Sequence, residues 1–354
     1  MAINTDLNAL LLNEIYQMYS QAEIRMLEKV AKKVKNGIVQ PGWAEEKLAD
    51  VQKMRAEVGK MMNDTNTLAK KKLDKGIIAA YFKGISSASK DHKIPRSAMN
   101  DVIPEHLQRL ILDMNNLIDG TNVQILRNVD DVYRKVMSET TTGVLTGVDT
   151  RLQAAQRSLD MFAARGVTGF VDNVGRRWDL ASYVEMAGRT TSAHAAIQGH
   201  IDRQGEIGND LMIVSSFGAT CPICAPWEGR VLSISGDNKK YSSIDDARAA
   251  GLFHPNCKHT ITAYFSEIDE ENVGPLHEHK RPYNPELYEA TQTQRYNERQ
   301  IRKWKRVESV AIVPEAQVKA SQKVRYWQAV QRQHVDNWNL RRKYVRESIN
   351  KRAR

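Results

Sequence analysis

Three cysteines and two histidines carry the densest chemistry in this sequence. One group stands in Thr220-Cys221-Pro222-Ile223-Cys224-Ala225-Pro226-Trp227, the other in Phe253-His254-Pro255-Asn256-Cys257-Lys258-His259. Two cysteines separated by two residues can reach one ion from a single tight turn. Cys257 and His259 are separated by one residue, and extended backbone projects such side chains to the same side. Zinc takes four soft or borderline ligands in a tetrahedron. Cys221, Cys224, Cys257 and His259 fill it and leave no open position, so this set predicts a structural zinc and no catalytic one. His254 is the alternative fourth ligand, although its place before Pro255 suits a histidine that packs beside the site or orients a ligand. The bland account is three buried free thiols acting as small hydrophobes. A C-x-x-C followed by a C-x-H is more specific than that.

Other chemistries fit less well. An odd number of cysteines in one short region is a poor disulfide framework and suits a reducing compartment at synthesis. A zinc deaminase needs a His-x-Glu before a Pro-Cys-x-x-Cys. Here the proline follows Cys221, and His277-Glu278-His279 lies downstream. Pro222 and Pro226 argue against a redox C-x-x-C at a helix start. A cysteine nucleophile served by His194 or His254 is the weaker reading. No phosphate-binding or dinucleotide-binding glycine motif occurs. No catalytic residue is therefore assigned.

The elements that must position these residues are mostly helical. Leu7, Leu10, Leu11, Ile15 and Met18 share one helical face, with Asp6 as its cap. Asn36-Gly37 and Pro41-Gly42 punctuate the chain, and Trp43 to Leu73 is again helical. Glu105 to Leu117, Val123 to Met137 and Thr150 to Ala164 follow, with Gly76, Gly84, Pro95, Pro104 and Gly120 as separators. The character changes near residue 166. Gly166 to Asp172 reads as a short strand, Asp179 as a cap, and Leu180 to Gln198 as a helix closed by Gly199. On that helix Tyr183, Ala187, Thr190, His194 and Ile197 form a stripe. Glu185 and Arg189 have ion-pair spacing, and with Arg176 they could form a buried network. Leu211 to Ser215 reads as a buried strand, and Trp178 and Trp227 as core residues.

Asp269 to Pro285 reads as a linker. Helices at Pro285 to Val307 and Pro314 to Asn350 follow, the second with Trp327, Val330, His334, Trp338 and Val345 at near-helical spacing. The whole is a mainly α protein with a small central α+β zinc-stapled domain. The expected segments are a helical N-terminal region (1–165), the stapled domain (166–268), and a linker with a basic helical tail (269–354).

The net charge is +10 in 354 residues. From Lys280 to Arg354 there are 7 Lys and 12 Arg against 6 Glu and 1 Asp, which leaves the rest close to neutral. Such a tail predicts a polyanion, an acidic protein surface, or a solvated helix face. No apolar run is long enough to predict a membrane span. Met1 to Leu12 lacks a basic start followed by an apolar core, so no secretory leader is expected.

One longer pattern adds to this reading. Arg176-Arg177-Trp178-Asp179-Leu180-Ala181-Ser182-Tyr183-Val184-Glu185-Met186, Arg189-Thr190, Cys221 to Gly229, and His254 to His259 together resemble phage minor capsid proteins of the Mu F head-morphogenesis type. The likeness covers about Gly166 to Phe265. It implies a structural, non-enzymatic protein of the virion. The expected place is the capsid interior near the portal, with assembly in the host cytoplasm. The expected partners are portal and capsid proteins and phage DNA, with a part in packaging or delivery. Many relatives carry a cysteine where this chain has His259, which supports His259 as the fourth ligand. The rival functions are a zinc-stapled nucleic-acid-binding protein and a toxin-like transferase or cysteine hydrolase.

Overall fold

The computed structural model describes residues 9–95, 103–145, 150–166, 170–171, 177–265 and 283–349. The Asp6 cap, Leu7, Arg176, residues 269–282 of the expected linker and His277-Glu278-His279 lie outside them. The described part is mainly helical. Its helices are α1 (Ala9–Lys35), α2 (Trp43–Ala49), α3 (Val51–Asp91), α4 (Glu105–Leu145), α5 (Arg151–Arg165), α6 (Leu180–Ile207), α7 (Ile244–Ala249), α8 (Pro285–Ser309), α9 (Pro314–Asn337) and α10 (Tyr344–Glu347). Among the described residues no helix is long and apolar enough to cross a membrane.

The chain divides into two compact units, each assembled from three stretches of sequence. Unit 1 comprises Met1–Leu12, Lys70–Asn116 and Glu185–Thr291; unit 2 comprises Asn13–Ala69, Leu117–Val184 and Gln292–Arg354. Unit 1 holds a four-stranded sheet built from β3 (Leu211–Val214), β4 (Val231–Ser233), β5 (Ser242–Ser243) and β6 (Ile261–Ala263), in the order β5-β4-β3-β6. The central strand β3 pairs antiparallel with β4 and β6. Met212 and Val214 point to the buried face, while Leu211 and Ile213 are half-buried, so the strand alternates as an amphipathic one should. In unit 2 a two-stranded ribbon pairs β1 (Phe170–Val171) with β2 (Arg177–Trp178).

The helices are fewer and longer than the glycine pattern suggests. Gly76 and Gly84 lie inside α3, Gly120 inside α4 and Gly199 inside α6. Gly84 and Gly199 are there for contact and do not break their helices. A Cβ on Gly84 would sit 1.9 Å from the Ala196 carbonyl oxygen, and one on Gly199 would sit 2.2 Å from the Tyr81 carbonyl oxygen. Only glycine lets the two backbones come that close. The end of α6 is set instead by Gly208, at φ +82°, where a left-handed residue stops a helix.

A buried polar cluster ties α3, α6 and the sheet of unit 1 together. His200 is fully buried, with Nε2 3.1 Å from the Gln204 amide nitrogen and 3.9 Å from Asp91. Gln204 Oε1 accepts from His92 at 2.7 Å and from Asn209 at 2.9 Å. Asp91 accepts the Ala263 amide of β6 at 3.2 Å. Burial pushes the His200 pKa down to about 4, against the pull of Asp91.

In unit 2 the basic C-terminal helices are part of the packing. Ile301, Val307 and Val310 are buried. Arg306 donates to the Ala163 carbonyl at 3.0 Å and lies 3.7 Å from Glu23. Gln156, buried in α5, accepts the Ile312 and Val313 amides at 2.6 and 3.2 Å. α9 ends at Asn337, well before Asn350, because Asn339 takes a left-handed conformation at φ +49° and Leu340 donates back to Val335. Its buried side is Ala320, Val324, Gln331 and Val335. The stripe of Trp327, Val330 and His334 is half-buried, and Trp338 is exposed.

Two outcomes are expected. Gly84→Ala should destabilise the protein by about 3 kcal/mol, because the new methyl meets backbone that has no rotamer to give. A denaturant midpoint within error of wild type would contradict the close approach. His200 stays neutral in the fold while its unfolded counterpart takes up a proton below about pH 6.5. The unfolded chain then binds more protons, so stability falls as pH drops from 6.5 towards 4, by about 3 kcal/mol for this group. In the His200→Gln variant, urea midpoints should change less between pH 7 and pH 4.5; an unchanged pH dependence would refute the role of His200.

Candidate metal centre

Strand pairing in unit 1 brings the two cysteine segments together. β3 and β6 run antiparallel with Val214 opposite Ile261, so the chain leaving β3 and the chain entering β6 start side by side. Ser215 donates its amide to the Thr260 carbonyl at 2.9 Å, and the Thr260 amide returns to the Ser215 hydroxyl at 2.9 Å. Beyond these clamps the first segment folds into a knuckle. The Cys221 carbonyl accepts the amides of Cys224 and Ala225 at 3.2 and 3.0 Å, and Trp227 closes a 3₁₀ turn onto Cys224. Pro226 suits that turn, since it lacks the amide that a first turn leaves unpaired. The second segment turns through Phe253 and Asn256, both at positive φ, and Cys257 donates to the His254 carbonyl at 2.8 Å. α6 holds it from behind. His194 Nε2 lies 2.9 Å from the Phe253 carbonyl, and the Thr190 hydroxyl accepts the Asn256 amide at 3.3 Å.

The result is two overlapping triads that share Cys224. Cys221, Cys224 and His254 form one; Cys224, Cys257 and His259 form the other; within each, the ligand atoms lie within 4.8 Å of one another. Cys224 Sγ is 3.7 Å from Cys257 Sγ, Cys257 Sγ is 3.3 Å from His259 Nδ1, and Cys221 Sγ is 3.0 Å from His254 Nε2. A tetrahedral zinc with arms of about 2.3 Å to sulfur has edges of about 3.8 Å, so the Cys224–Cys257 spacing is that of two ligands on one ion. The donor set, thiols and imidazoles, is one that zinc favours.

His259 is oriented by a buried carboxylate. Its Nε2 lies 2.9 Å from Glu228 Oε1 and 3.2 Å from the Thr220 hydroxyl, which makes Nε2 the protonated nitrogen and leaves Nδ1 facing Cys257. Glu228 is 2% exposed and is held in turn by the Phe217 amide at 2.9 Å; the Phe217 ring lies 4.6 Å from the imidazole. Burial opposes charge on His259, but Cys257 and Glu228 together outweigh it and raise its pKa. Cys257 is held far below the ordinary thiol range by its bond to Cys224 and by His259, against its burial. Cys224 is driven the other way by Cys257 and by burial. The cluster thus already favours a thiolate at Cys257. His254 is half-buried, and its Nδ1 is 2.8 Å from the Pro255 carbonyl.

All five residues singled out by spacing fall in this one cluster, with His254 against Cys221 and His259 against Cys257. Glu228 went unassigned in the sequence. It lies in the motif four residues after Cys224, and spacing gives no sign that it turns inward. Glu185 and Arg189 do form a salt bridge within α6. Trp178 and Trp227 are half-buried and not core: Trp178 meets the Tyr183 ring edge-on at 5.7 Å, and Trp227 lies under the Arg230 guanidinium at 5.5 Å.

Comparison with known proteins gives a consistent answer. The family model described as phage minor capsid protein 2 matches residues 4–336. A protein of Lactococcus phage LL-H described as a structural protein is 30% identical over 230 residues, which is 61% of this chain and 61% of that relative. The chain therefore spans about three fifths of that relative's length. No solved structure matches. The family match takes in the helical regions on both sides of the cysteine segment, where the sequence motifs carry no signature.

Replacing Glu228 tests the buried pair. Glu228→Ala leaves the His259 Nε2 proton facing only Thr220 and strands the Phe217 amide. A loss of about 2 kcal/mol is expected, with Glu228→Gln losing less because its amide oxygen still accepts. Equal stability of all three proteins in a urea titration would show that the carboxylate does not hold the histidine.

Proposed function

The chain belongs to the phage minor capsid protein 2 family, and we propose that it serves as a structural, non-catalytic component of the phage head whose central fold is stapled by one zinc. The match over residues 4–336 supports the structural role. The zinc reading is supported by the triad of Cys224, Cys257 and His259, with Cys221 joining it through the shared Cys224, and the Cys224–Cys257 spacing of 3.7 Å carries the argument. Three thiolates and one imidazole would close the coordination sphere, so the ion would hold the two segments and activate nothing. In this reading the chain resides in the capsid interior beside the portal and meets portal and capsid proteins, and its basic residues face packaged or exiting DNA.

Two measurements test it. In purified DNA-filled particles the chain should be present at lower copy number than the main shell protein and should cross-link to the portal. Absence from the particles would overturn the virion reading, and particles without portal cross-links would overturn the placement. Elemental analysis of the isolated chain should return about one zinc per molecule. Cys257→Ser should lose both the metal and the local fold, since binding and folding are coupled. His259→Ala should weaken binding more than His254→Ala, and the reverse order would move the fourth position to His254. A folded chain that binds no metal would remove the staple.

A further inference from the structure

A strongly basic concavity lies in unit 2, whereas the cysteine cluster belongs to unit 1. It is a cavity of about 700 Å³ between α4, α5, β2 and α8. Arg127, Arg165, Arg299 and Lys303 line it, with Arg302 and Arg306 among the buried residues of its wall. Lys135 adds a seventh cation, against only Asp131, Glu139 and Asp179. Those carboxylates are partly engaged. Asp179 lies 3.7 Å from Arg302 and caps the Ser182 amide at 3.0 Å, and Glu139 takes the Ser158 hydroxyl at 2.8 Å and Lys135 at 3.6 Å. Among the described residues no carboxylate lies within 4 Å of Arg127, Arg165, Arg299 or Lys303. Burial and the neighbouring Arg302 lower the pKa of Arg299, as expected where positive charge is in excess. One wall is apolar: Met161, Phe162 and the half-buried Trp178 line it.

We propose that this cavity binds a nucleotide, with the phosphates held by Arg127, Arg165, Arg299 and Lys303 and the base lying against Trp178. Guanidinium groups match phosphate oxygens two at a time, and an indole face offers a base about 1–3 kcal/mol of stacking. The volume is that of a small-ligand pocket, so a duplex cannot enter. A free nucleotide or the nucleotides of a single strand can. The site is built from unit 2 residues alone, and the proposal does not depend on the virion reading.

Calorimetry on the full-length chain at low salt provides the test, with four probes: a nucleoside triphosphate, inorganic tripolyphosphate, a short single-stranded oligodeoxynucleotide, and a Glu-rich peptide of matched charge. The triphosphate or the oligonucleotide should bind, and whichever is tighter names the source. Tripolyphosphate should bind more weakly for want of the ring. Arg299→Glu with Lys303→Glu should weaken nucleotide binding about tenfold or more. Lys323→Glu with Arg325→Glu, equal in charge and placed on exposed α9, should weaken it far less. Trp178→Leu should erase the advantage of nucleotide over tripolyphosphate. Equal losses from the two charge reversals would reduce the effect to diffuse attraction and overturn the proposal. So would binding of the peptide alone, or of no probe.

Discussion

Removing a carboxylate, an imidazole and three thiols from water is costly unless each polar atom meets another. Unit 1 does this with a chain of partners: the Phe217 amide on Glu228, Glu228 on His259, His259 on Cys257, and Cys257 on Cys224. The order sets charge as well as contact. The carboxylate favours an imidazole proton on Nε2, the other ring nitrogen turns to sulfur, and the sulfur nearest it becomes the thiolate. Cys221 and His254 complete the cluster from its half-buried side. A single break in this series leaves a buried charge without its neighbour, so the sheet register that delivers Thr260 beside Ser215 underlies the whole arrangement.

That register depends in turn on the helices behind it. α6 supplies Thr190 and His194 to the second cysteine segment, and α6 is itself seated on α3 through the glycine contacts at Gly84 and Gly199. A side chain at either glycine would push α6 outward and carry its two hydrogen-bonding groups away from Phe253 and Asn256. The Asp91 carboxylate at the end of α3 also grips β6. Helix packing and the geometry of the cysteine–histidine cluster are therefore one problem, solved at the level of single carbonyl oxygens.

Much of this is legible in the residues. The C-x-x-C and C-x-H spacings locate the cluster because ligand geometry is local: a knuckle and an extended pair each deliver two atoms to one side. The β3 strand is legible from its apolar run, and of the expected α6 stripe Ala187 and Ile197 are buried while Tyr183, Thr190 and His194 are half-buried. What is not legible depends on distant neighbours. Gly199 looks like a stop signal, because the sequence cannot display the Tyr81 carbonyl lying where its side chain would go. Glu228 looks like any surface glutamate, because its burial comes from Phe217 and His259 folding over it.

The excess charge of the C-terminal helices shows the difference between composition and placement. A count over Lys280 to Arg354 describes a basic tail, yet the structure uses those residues in two distinct ways. Arg306 and Arg302 turn inward, where Glu23, Asp179 and backbone carbonyls take up their donors, and such buried pairs specify packing more than they add stability. Arg299 and Lys303, on the same helix, line the cavity, and among the described residues neither forms an ion pair with a carboxylate. Alternation between these roles follows the helical repeat: 299, 302, 303 and 306 fall on one side of α8 at spacings of three, one and three. One helix face therefore both fastens the C-terminal segment to unit 2 and sets the positive potential of its cavity. Loss of the inward arginines would collapse that potential along with the packing, whereas loss of the outward ones would spare the fold.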